Sequence, residues 1–374
     1  GMYFYYAIMC VFGLLIMVGY KYRFSMLAFT IMWSATYLMQ KSSYNNHYYL
    51  LMLLSAIMVF LPAHKYASVD VKLNPEIKSY SMPQWCRWVI ILQLFIVYTY
   101  ASLAKLYPDW LDTSVMEILM KGKKDYILVG DLLQQKWLHY ILAYGGILFD
   151  GLIVPLLLFK STRKYAFVIS VFFHLFNSFV FQIGIFPYLS LAFSLFFFEP
   201  KKIRDLFLKK KEYYSNKDIS IPSYSKILVS LFLIYFVIHI ALPLRHHFFK
   251  DDVLWTEEGH RLSWRMMLRA KSGSVSFSVI DTETNTSIPI KLKDYLTKKQ
   301  RKKVCTKPDA IWQFAQYLKN DFARQGKTVK VYARAYVSVN GRPSKLFIDP
   351  KVDLANEEWY HFKHHDWILP SKKE

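Results

Sequence analysis

The chain has 374 residues, of which 54% are hydrophobic and 18% aromatic, yet its formal net charge at pH 7 is +21. Such a chain must separate a large apolar part from a basic part, which is typical of an integral membrane protein with extramembrane appendages. Nucleic-acid binding is a poor explanation of the charge, because the lysines cluster in short loops beside apolar stretches. No G-x-S-x-G, Walker or Rossmann motif supports a soluble hydrolase, kinase or dehydrogenase.

Apolar stretches dominate the first two thirds of the chain and predict membrane segments. In order they are 2–18, 24–39, 48–63, 89–106, 137–159, 165–198 and 227–244. The stretch 165–198 is too long for one crossing and is interrupted at Gly184 and Pro187, so we expect two segments there, the second short or re-entrant. Residues 1–244 are therefore predicted to form a helical transmembrane domain of about seven or eight segments.

Basic connectors predict the orientation of these segments. They lie at 21–23, 64–85, 160–164 and 200–226, and all fall on one side when 165–198 is divided in two. By the positive-inside rule this side is cytoplasmic. Lys105 and everything after residue 244 then face the opposite side, which is the lumen or periplasm.

Lys105 has two competing interpretations. A lysine near the end of a span can extend its ammonium to the headgroups over a buried stem. Alternatively, the small residues Ala101, Ser102 and Ala104 allow neighbouring helices to approach closely and to enclose the amine. Desolvation would then favour the neutral amine, which is a base.

Other polar residues occur at membrane depth. His174 and Asn177 are three positions apart in FFHLFNSF, and Asp150 lies in GILFDGLIV. Such residues face a bundle interior or a cavity, either for function or for an interhelical hydrogen bond. Asn45, Asn46 and His47, at a membrane entry, have the ordinary interpretation of an interfacial cap or turn.

Residues 245–374 have mixed character and predict a smaller extramembrane α+β domain, β-sandwich-like. Predicted strands lie at 274–279, 287–292 and 329–339, and a helix at 309–325. Asn340-Gly341 predicts a hairpin turn that returns through Leu346 and Ile348. The domain looks incomplete, because no visible segment covers the exposed edge of its sheet.

The segment YHFKHHDW resembles a metal site by composition only. Its candidate ligands, His361, His364, His365 and Asp366, come from one short segment without a Cys or an HExxH partner. The three cysteines, Cys10, Cys86 and Cys305, are far apart and suggest neither a disulfide framework nor a metal cluster. We expect no metal site.

Four long motifs carry a family resemblance. They are FIVYTYASLAKLYPDWL, FFHLFNSFVFQIGIFPYLSLAFSLFFFEP, LPLRHHFFKDDVLWTEEGHRLSWRMML and FIDPKVDLANEEWYHFKHHDWILP. In this order and at similar separations they resemble vitamin K-dependent gamma-glutamyl carboxylase. The resemblance extends over nearly all of the chain.

The resemblance implies an enzyme that oxygenates a reduced quinone, vitamin K or menaquinone, to its epoxide and adds CO2 to the gamma carbon of a protein glutamate. Its cosubstrates would be the hydroquinone, O2 and CO2, and its partners a glutamate-containing protein or peptide and the lipid bilayer. Lys105 matches the neutral lysine that takes the hydroquinone's proton. Asn45, Asn46 and His47 match an Asn-Asn-His segment of the family, whose histidine is proposed to steady the carbanion or its carboxylate, so Asn46 and His47 are expected site residues.

The same resemblance implies a pocket for the quinol and the glutamate. His174 and Asn177 match the family's FHxxN segment, and Phe186, Met266 and Met267 match residues thought to line that pocket. Two further pocket residues, Trp264 and Arg265, lie beside them, and Arg265 could pair the substrate carboxylate.

The chain also departs from the family. Tyr317 stands where the animal enzymes have the second cysteine of a disulfide, and a first span and a longer C-terminal region are missing. These departures favour a bacterial relative in an inner membrane with a periplasmic domain, or an ER protein if the chain is eukaryotic. The alternative function is a quinol epoxidase, or a quinone- or lipid-binding protein, of the same fold without protein carboxylation.

Overall fold

The computed structural model describes residues 1–39, 41–214, 221 and 223–372. The chain forms two compact units, each of two segments. The first unit comprises Gly1–Thr99 and Leu148–His239, and the second comprises Tyr100–Ile147 and Ile240–Glu374.

Long apolar helices build the first 244 residues, and short helices and strands follow. The helices are α1 (Met2–Val18), α2 (Tyr22–Met39), α3 (Asn46–Phe60), α4 (Val69–Leu73), α5 (Trp85–Leu103), α6 (Pro108–Leu111), α7 (Ser114–Lys121), α8 (Gly130–Leu133), α9 (Lys136–Leu158), α10 (Arg163–Phe176), α11 (Phe186–Ser194), α12 (Pro200–Phe207), α13 (Ser225–Leu244), α14 (Val253–Thr256), α15 (Leu292–Tyr295), α16 (Lys298–Val304) and α17 (Pro308–Arg324). The strands are β1 (Lys271–Asp281), β2 (Ser287–Pro289), β3 (Val329–Val339) and β4 (Lys345–Leu346).

Within the described residues, four helices are long and apolar enough to cross a membrane. They are Trp85–Leu103, Lys136–Leu158, Arg163–Phe181 and Ser225–Phe248. Shorter apolar helices are Met2–Val18, Asn46–Phe60 and Phe186–Phe197. The predicted helical membrane domain followed by a smaller α+β region is confirmed, whereas the total of seven or eight segments and the domain boundary at residue 244 stay predictions.

The long stretch after Lys164 is broken, as its glycine and proline predict. Helix α10 passes into a π-helical turn at Asn177–Phe181, and α11 begins only at Phe186. Between them Gln182 and Gly184 have positive φ angles of 52° and 69°. The chain reverses here because left-handed residues end a helix and Pro187 can begin the next one.

The second unit contains an antiparallel sheet with the strand order β2-β1-β3-β4. Strand β3 alternates apolar and polar residues, so that one of its faces, from Val329 to Val339, is buried. The apolar side of α17 packs on this face, where the Phe314 and Phe277 rings meet edge to face at 5.0 Å. Within the described residues α17 thus takes the place that a second sheet has in a sandwich.

The sheet edge beside β4 is covered, contrary to the expectation from sequence. Ile348 forms an antiparallel bridge with Ile368, and the Leu369 amide donates to the Phe347 carbonyl at 2.9 Å. The Asp349 amide likewise donates to the Trp367 carbonyl. A return of the chain close to its end therefore occupies backbone groups that would otherwise invite another strand.

Candidate functional site

In the first unit, the rings of His47, His174 and Phe186 lie close together. The ring of His47, at the start of α3, stacks on Phe186 with centroids 4.7 Å apart. The ring of His174, on α10, meets Phe186 edge to face at 5.7 Å. The Tyr98 hydroxyl hydrogen-bonds Nε2 of His174 at 2.9 Å. The break between α10 and α11 brings Phe186 into this cluster. Within the break, the backbone of Ile183 forms a hydrogen bond with His47.

The three asparagines near these rings, Asn45, Asn46 and Asn177, form hydrogen bonds with residues outside the ring cluster or with backbone groups. Asn45 caps α3 by accepting from the His47 amide at 2.7 Å, and the buried Asn46 accepts from the Tyr44 hydroxyl at 2.7 Å. Asn177 donates to the Phe173 carbonyl at 2.8 Å, one turn back in its own helix. The interpretation of 45–47 as a helix cap is therefore confirmed, and the cap fixes the place of His47.

The residues of this ring cluster suit a reduced quinone. Nδ1 of His47 and Nδ1 of His174 are buried and have no hydrogen-bond partner within the part of the chain that the structure describes. An unsatisfied polar atom in a membrane interior is costly, so such atoms indicate a ligand or water. A flat apolar ring with oxygen atoms on two sides would stack on Phe186 and satisfy ring nitrogens.

In the second unit, Lys105 lies in a turn just beyond α5, two residues later than the helix end. The turn forms because Pro108 disfavours helical geometry at Tyr107 and begins α6. Lys105 is buried, with only 8% of its surface exposed, and its Nζ donates to the Ala101 carbonyl at 3.1 Å. Nζ lies 5.7 Å from the centre of the Trp110 ring. These contacts surround the amine with protein atoms, which favours the enclosed interpretation of Lys105.

Gly146 on α9 lies beside this amine. A Cβ at Gly146 would lie 4.0 Å from Cε of Lys105 and 4.0 Å from the Trp110 ring, which is ordinary van der Waals contact. The Trp110 indole donates to the Ala143 carbonyl at 3.0 Å, and the Ser102 hydroxyl donates to the Ile147 carbonyl at 2.9 Å. These two hydrogen bonds join the end of α5 and the turn after it to backbone carbonyls of α9.

The predicted pocket residues Trp264, Arg265, Met266 and Met267 lie in a loop with unusual backbone geometry. Trp264 is fully buried, whereas the other three are half-buried. Trp264 and Met267 have positive φ angles of 56° and 53°. Non-glycine residues in this conformation carry strain, which concentrates at functional sites. Nη1 of Arg265 lies 3.4 Å from Nε2 of His246, and burial lowers the pKa of its guanidinium.

A buried ion cluster, which the sequence did not predict, lies around Glu257 in the motif LWTEEGHRLSWRMML. Glu257 accepts from Arg269 and, at 2.7 Å, from Lys307, and Nζ of Lys271 lies 3.4 Å from its carboxylate. Burial by itself raises the pKa of Glu257, but the three cations outweigh it and hold that pKa well below its ordinary value of 4.5. Burial lowers the pKa of Lys271 to about 7, against the opposing effect of Glu257.

Two of the three histidines of YHFKHHDW, His364 and His365, bind a carboxylate. Nδ1 of His364 and Nδ1 of His365 contact the buried Glu258 at 2.6 and 3.0 Å. The Tyr360 amide donates to Nε2 of His365, which makes that nitrogen the acceptor. Among the described residues, no group of three or more His, Cys, Asp or Glu side chains is arranged to hold a metal ion.

Sequence reasoning also missed Tyr98, Tyr107 and Asp109. Tyr98 could have been predicted from the sequence, since a hydroxyl within an apolar span needs a hydrogen-bond partner. Asp109 has its partners, Asn340 and Arg342, far away in the chain. No local pattern indicates such pairs.

Family models match most of the chain. The HTTM domain matches residues 1–201, and the lumenal domain of vitamin K-dependent gamma-carboxylase matches residues 224–374. No solved structure matches the chain significantly. The two matches confirm the resemblance carried by the four motifs, and together with the long apolar helices they identify a membrane protein. The chain belongs to the HTTM-domain family, and its second match places it with the vitamin K-dependent gamma-carboxylases.

Proposed function

We propose that this protein is a gamma-glutamyl carboxylase that couples oxygenation of a membrane quinol to carboxylation of protein glutamate. The observation that carries the proposal is Lys105, a lysine amine enclosed at the end of a membrane helix. It lies in a chain that matches the HTTM domain and the lumenal domain of vitamin K-dependent gamma-carboxylase. The natural quinol is reduced vitamin K or menaquinone. A bacterial inner membrane with the lumenal-type domain in the periplasm is the setting we favour.

Lys105 has the role of a base. A glutamate γ C–H is too weak an acid for any side-chain base near neutral pH, so the reduced quinone, on reaction with O2, supplies the stronger base. The enclosed amine of Lys105, in its neutral form, has a lone pair at Nζ that can accept the quinol's hydroxyl proton. The Trp110 ring and the Ala101 carbonyl orient this nitrogen.

The histidine cluster has the role of binding and orientation. Phe186 offers a stacking face, and the buried Nδ1 atoms of His47 and His174 are suited to polar atoms of the quinol or the substrate. Asn46, next to His47, anchors the start of α3 through Tyr44. The hydrogen bond from Tyr98 fixes the ring of His174, and Asn177 stabilises the end of α10.

The loop 264–267 has the role of receiving the glutamate. Arg265 can pair the substrate carboxylate, because burial lowers the pKa of its guanidinium and an added carboxylate would compensate part of the lost hydration, as Asp252 already does. Met266 and Met267 supply polarizable apolar walls, and Trp264 anchors the loop in the interior. When CO2 adds to the γ carbon, the C–H bond breaks and a C–C bond forms.

The test uses membranes that contain the chain, reduced vitamin K or menaquinone, a glutamate-rich peptide and labelled CO2. We expect label in the peptide together with quinone epoxide. Lys105→Ala should lower both by about 10²–10⁴-fold, the usual contribution of a general base. Lys105→Arg should fail equally, because a guanidinium stays protonated.

The matched control is Lys136→Ala, which removes an exposed lysine and should retain full activity. Epoxide without label in the peptide would show a quinol epoxidase and contradict carboxylation. If neither product forms, the result would instead favour a quinone- or lipid-binding protein. Wild-type activity in Lys105→Ala would refute the role of that amine.

A further inference from the structure

The turn that carries Lys105 is fastened to the lumenal-type domain by two side chains that the reaction itself does not require. The Tyr107 hydroxyl donates to the carbonyl of Leu268, the residue that directly follows Met267. The Tyr107 ring and Ala104 also pack against the buried core of that domain. Tyr107 therefore joins the turn to Leu268, at the end of the loop 264–268, within a single compact unit.

Asp109 makes the second attachment. Its side chain is buried, and Oδ2 accepts from Nδ2 of Asn340 at 2.7 Å, while Oδ1 accepts from Arg342. A buried carboxylate persists only when its oxygens are hydrogen-bonded. The bond to Asn340 is therefore specific, since removing either partner leaves a polar group unsatisfied.

Asn340 transmits this attachment to the start of β1. The side-chain Oδ1 of Asn340 accepts from the Ala270 backbone amide at 3.0 Å, and the backbone amide of Asn340 donates to the Ala270 carbonyl at 2.8 Å. Asn340 has a φ angle of 54°, which asparagine tolerates better than most residues. Gly341 follows with a φ angle of 75°. The tip of the β3–β4 hairpin thus has a fixed shape, and Ala270 lies two residues after Leu268.

On its other side the turn contacts helix α9. Trp110 and Ser102 hydrogen-bond carbonyls of that helix, at Ala143 and Ile147. Lys105 lies between these two sets of contacts. Without Tyr107 and Asp109, the contacts with α9 would still hold the end of α5, but the contacts that set the turn against the loop 264–268 would be lost.

We propose that Tyr107 and Asp109 are positioning residues that set the Nζ of Lys105 relative to the loop 264–268 of the same unit. The proposal deepens the proposed function and rests on it, because it assigns importance to the place of Lys105. Misplacing a catalytic group by about 1 Å costs on the order of 100-fold in rate. Side chains outside the reaction can therefore control it through geometry.

The first experiment measures the chemical reactivity of the Lys105 amine in the absence of quinol. The purified chain in lipid nanodiscs is treated with a small amine-reactive reagent at several pH values, and modification of Lys105 is quantified by mass spectrometry. Wild-type Lys105 should react slowly, because it is buried. Asp109→Ala and Tyr107→Phe should raise its rate about tenfold and change its pH profile, since local opening exposes the amine.

The variants include a restoration and a control. Asp109→Asn combined with Asn340→Asp exchanges the two side chains and still allows the hydrogen bonds to each other and to the Ala270 amide, so it should return the rate to within about threefold of wild type. Lys345→Ala changes an exposed residue of the same hairpin, whose Nζ contacts Ser371, and should behave as wild type. Thermal unfolding of every variant checks the fold, and Tyr107→Phe remains informative if Asp109→Ala does not fold.

The second experiment measures quinone epoxide formation in the same variants. Tyr107→Phe and Asp109→Ala should lower kcat at least about tenfold while KM for the quinol changes little, because a misplaced base slows chemistry rather than quinol binding. Modification rates and kcat values equal to those of Lys345→Ala would overturn the proposal, and so would an exchanged pair that restores neither. Full activity of Lys105→Ala would instead refute the proposed function. In that case the modification rates would still test whether Tyr107 and Asp109 hold Lys105 in place.

Discussion

Glu257 illustrates how a single residue organises the second unit. Three cations, Arg269, Lys271 and Lys307, surround its buried carboxylate, so its removal leaves several buried charges without a counter-ion. Glu257→Gln should therefore destabilise the protein by about 3–5 kcal/mol, which is typical for one partner of a buried ion pair. Thermal unfolding followed by tryptophan fluorescence measures the loss, and the exposed Glu283→Gln is the matched control.

The pH dependence of this effect follows from the lowered pKa of Glu257. A depressed carboxyl pKa contributes stability that is fully present above the ordinary value of 4.5 and is lost as the pH falls through the folded-state value. The difference in unfolding midpoint between wild type and Glu257→Gln should thus persist from pH 8 to pH 6. It should grow over this range, because Lys271, whose pKa is about 7, becomes charged there and depends on Glu257 as its counter-ion. It should shrink only well below pH 4.5. A difference that already disappears at pH 6 would contradict the assigned cations.

At the scale of elements, the break between α10 and α11 decides where the ring cluster forms. Gly184 lies in the left-handed region with a φ angle of 69°, and no atom would contact a Cβ there within 4 Å. Gly184→Ala should therefore cost about 1–2 kcal/mol through backbone strain alone. Since this break precedes Phe186, epoxide formation should also fall.

Two variants make this prediction specific to the backbone. Gly184→Asn should be milder than Gly184→Ala, because asparagine visits the left-handed region more readily. Gly145→Ala adds a methyl group in open space inside helix α9 and should be neutral or slightly stabilising. Unfolding midpoints and epoxide rates of the three proteins are compared, and equal losses in Gly184→Ala and Gly145→Ala would exclude the strained turn as the cause.

Elements whose burial has a local period were predictable from the sequence. Residues 2–18 and 329–339 were predicted with the bounds that α1 and β3 have, because each pattern is uniformly apolar or strictly alternating. The end of α5 was not, because Pro108 stops the helix before Lys105 although the apolar residues continue past it.

Contacts between distant parts of the chain were beyond sequence patterns. The covering of the sheet edge by Ile368, the stacking of His47 on Phe186 and the bond between Asp109 and Asn340 all depend on tertiary structure. A single sequence contains no period that relates such residues. The family resemblance supplied His47 and Phe186, but it named neither Tyr107 nor Asp109.

At the scale of the whole molecule, charge separates the loops into two classes. Basic connectors, which include Lys160, Lys164 and the lysines 209–211, join apolar helices, and the positive-inside rule predicts that these loops lie in the cytoplasm. This orientation predicts that the domain after residue 244 lies on the opposite side of the membrane. Cysteine labelling tests the predicted orientation.

We expect opposite labelling of two introduced cysteines. In a background with Cys10, Cys86 and Cys305 replaced by Ala, Tyr317→Cys lies on the half-exposed surface of α17, and Lys209→Cys lies in the basic loop after α12. A membrane-impermeant maleimide added to sealed spheroplasts should modify Tyr317→Cys and leave Lys209→Cys unmodified until the membrane is opened. The reverse result would invert the orientation, and then the loop 264–268 would face the cytoplasm and could not receive a secreted glutamate-containing protein.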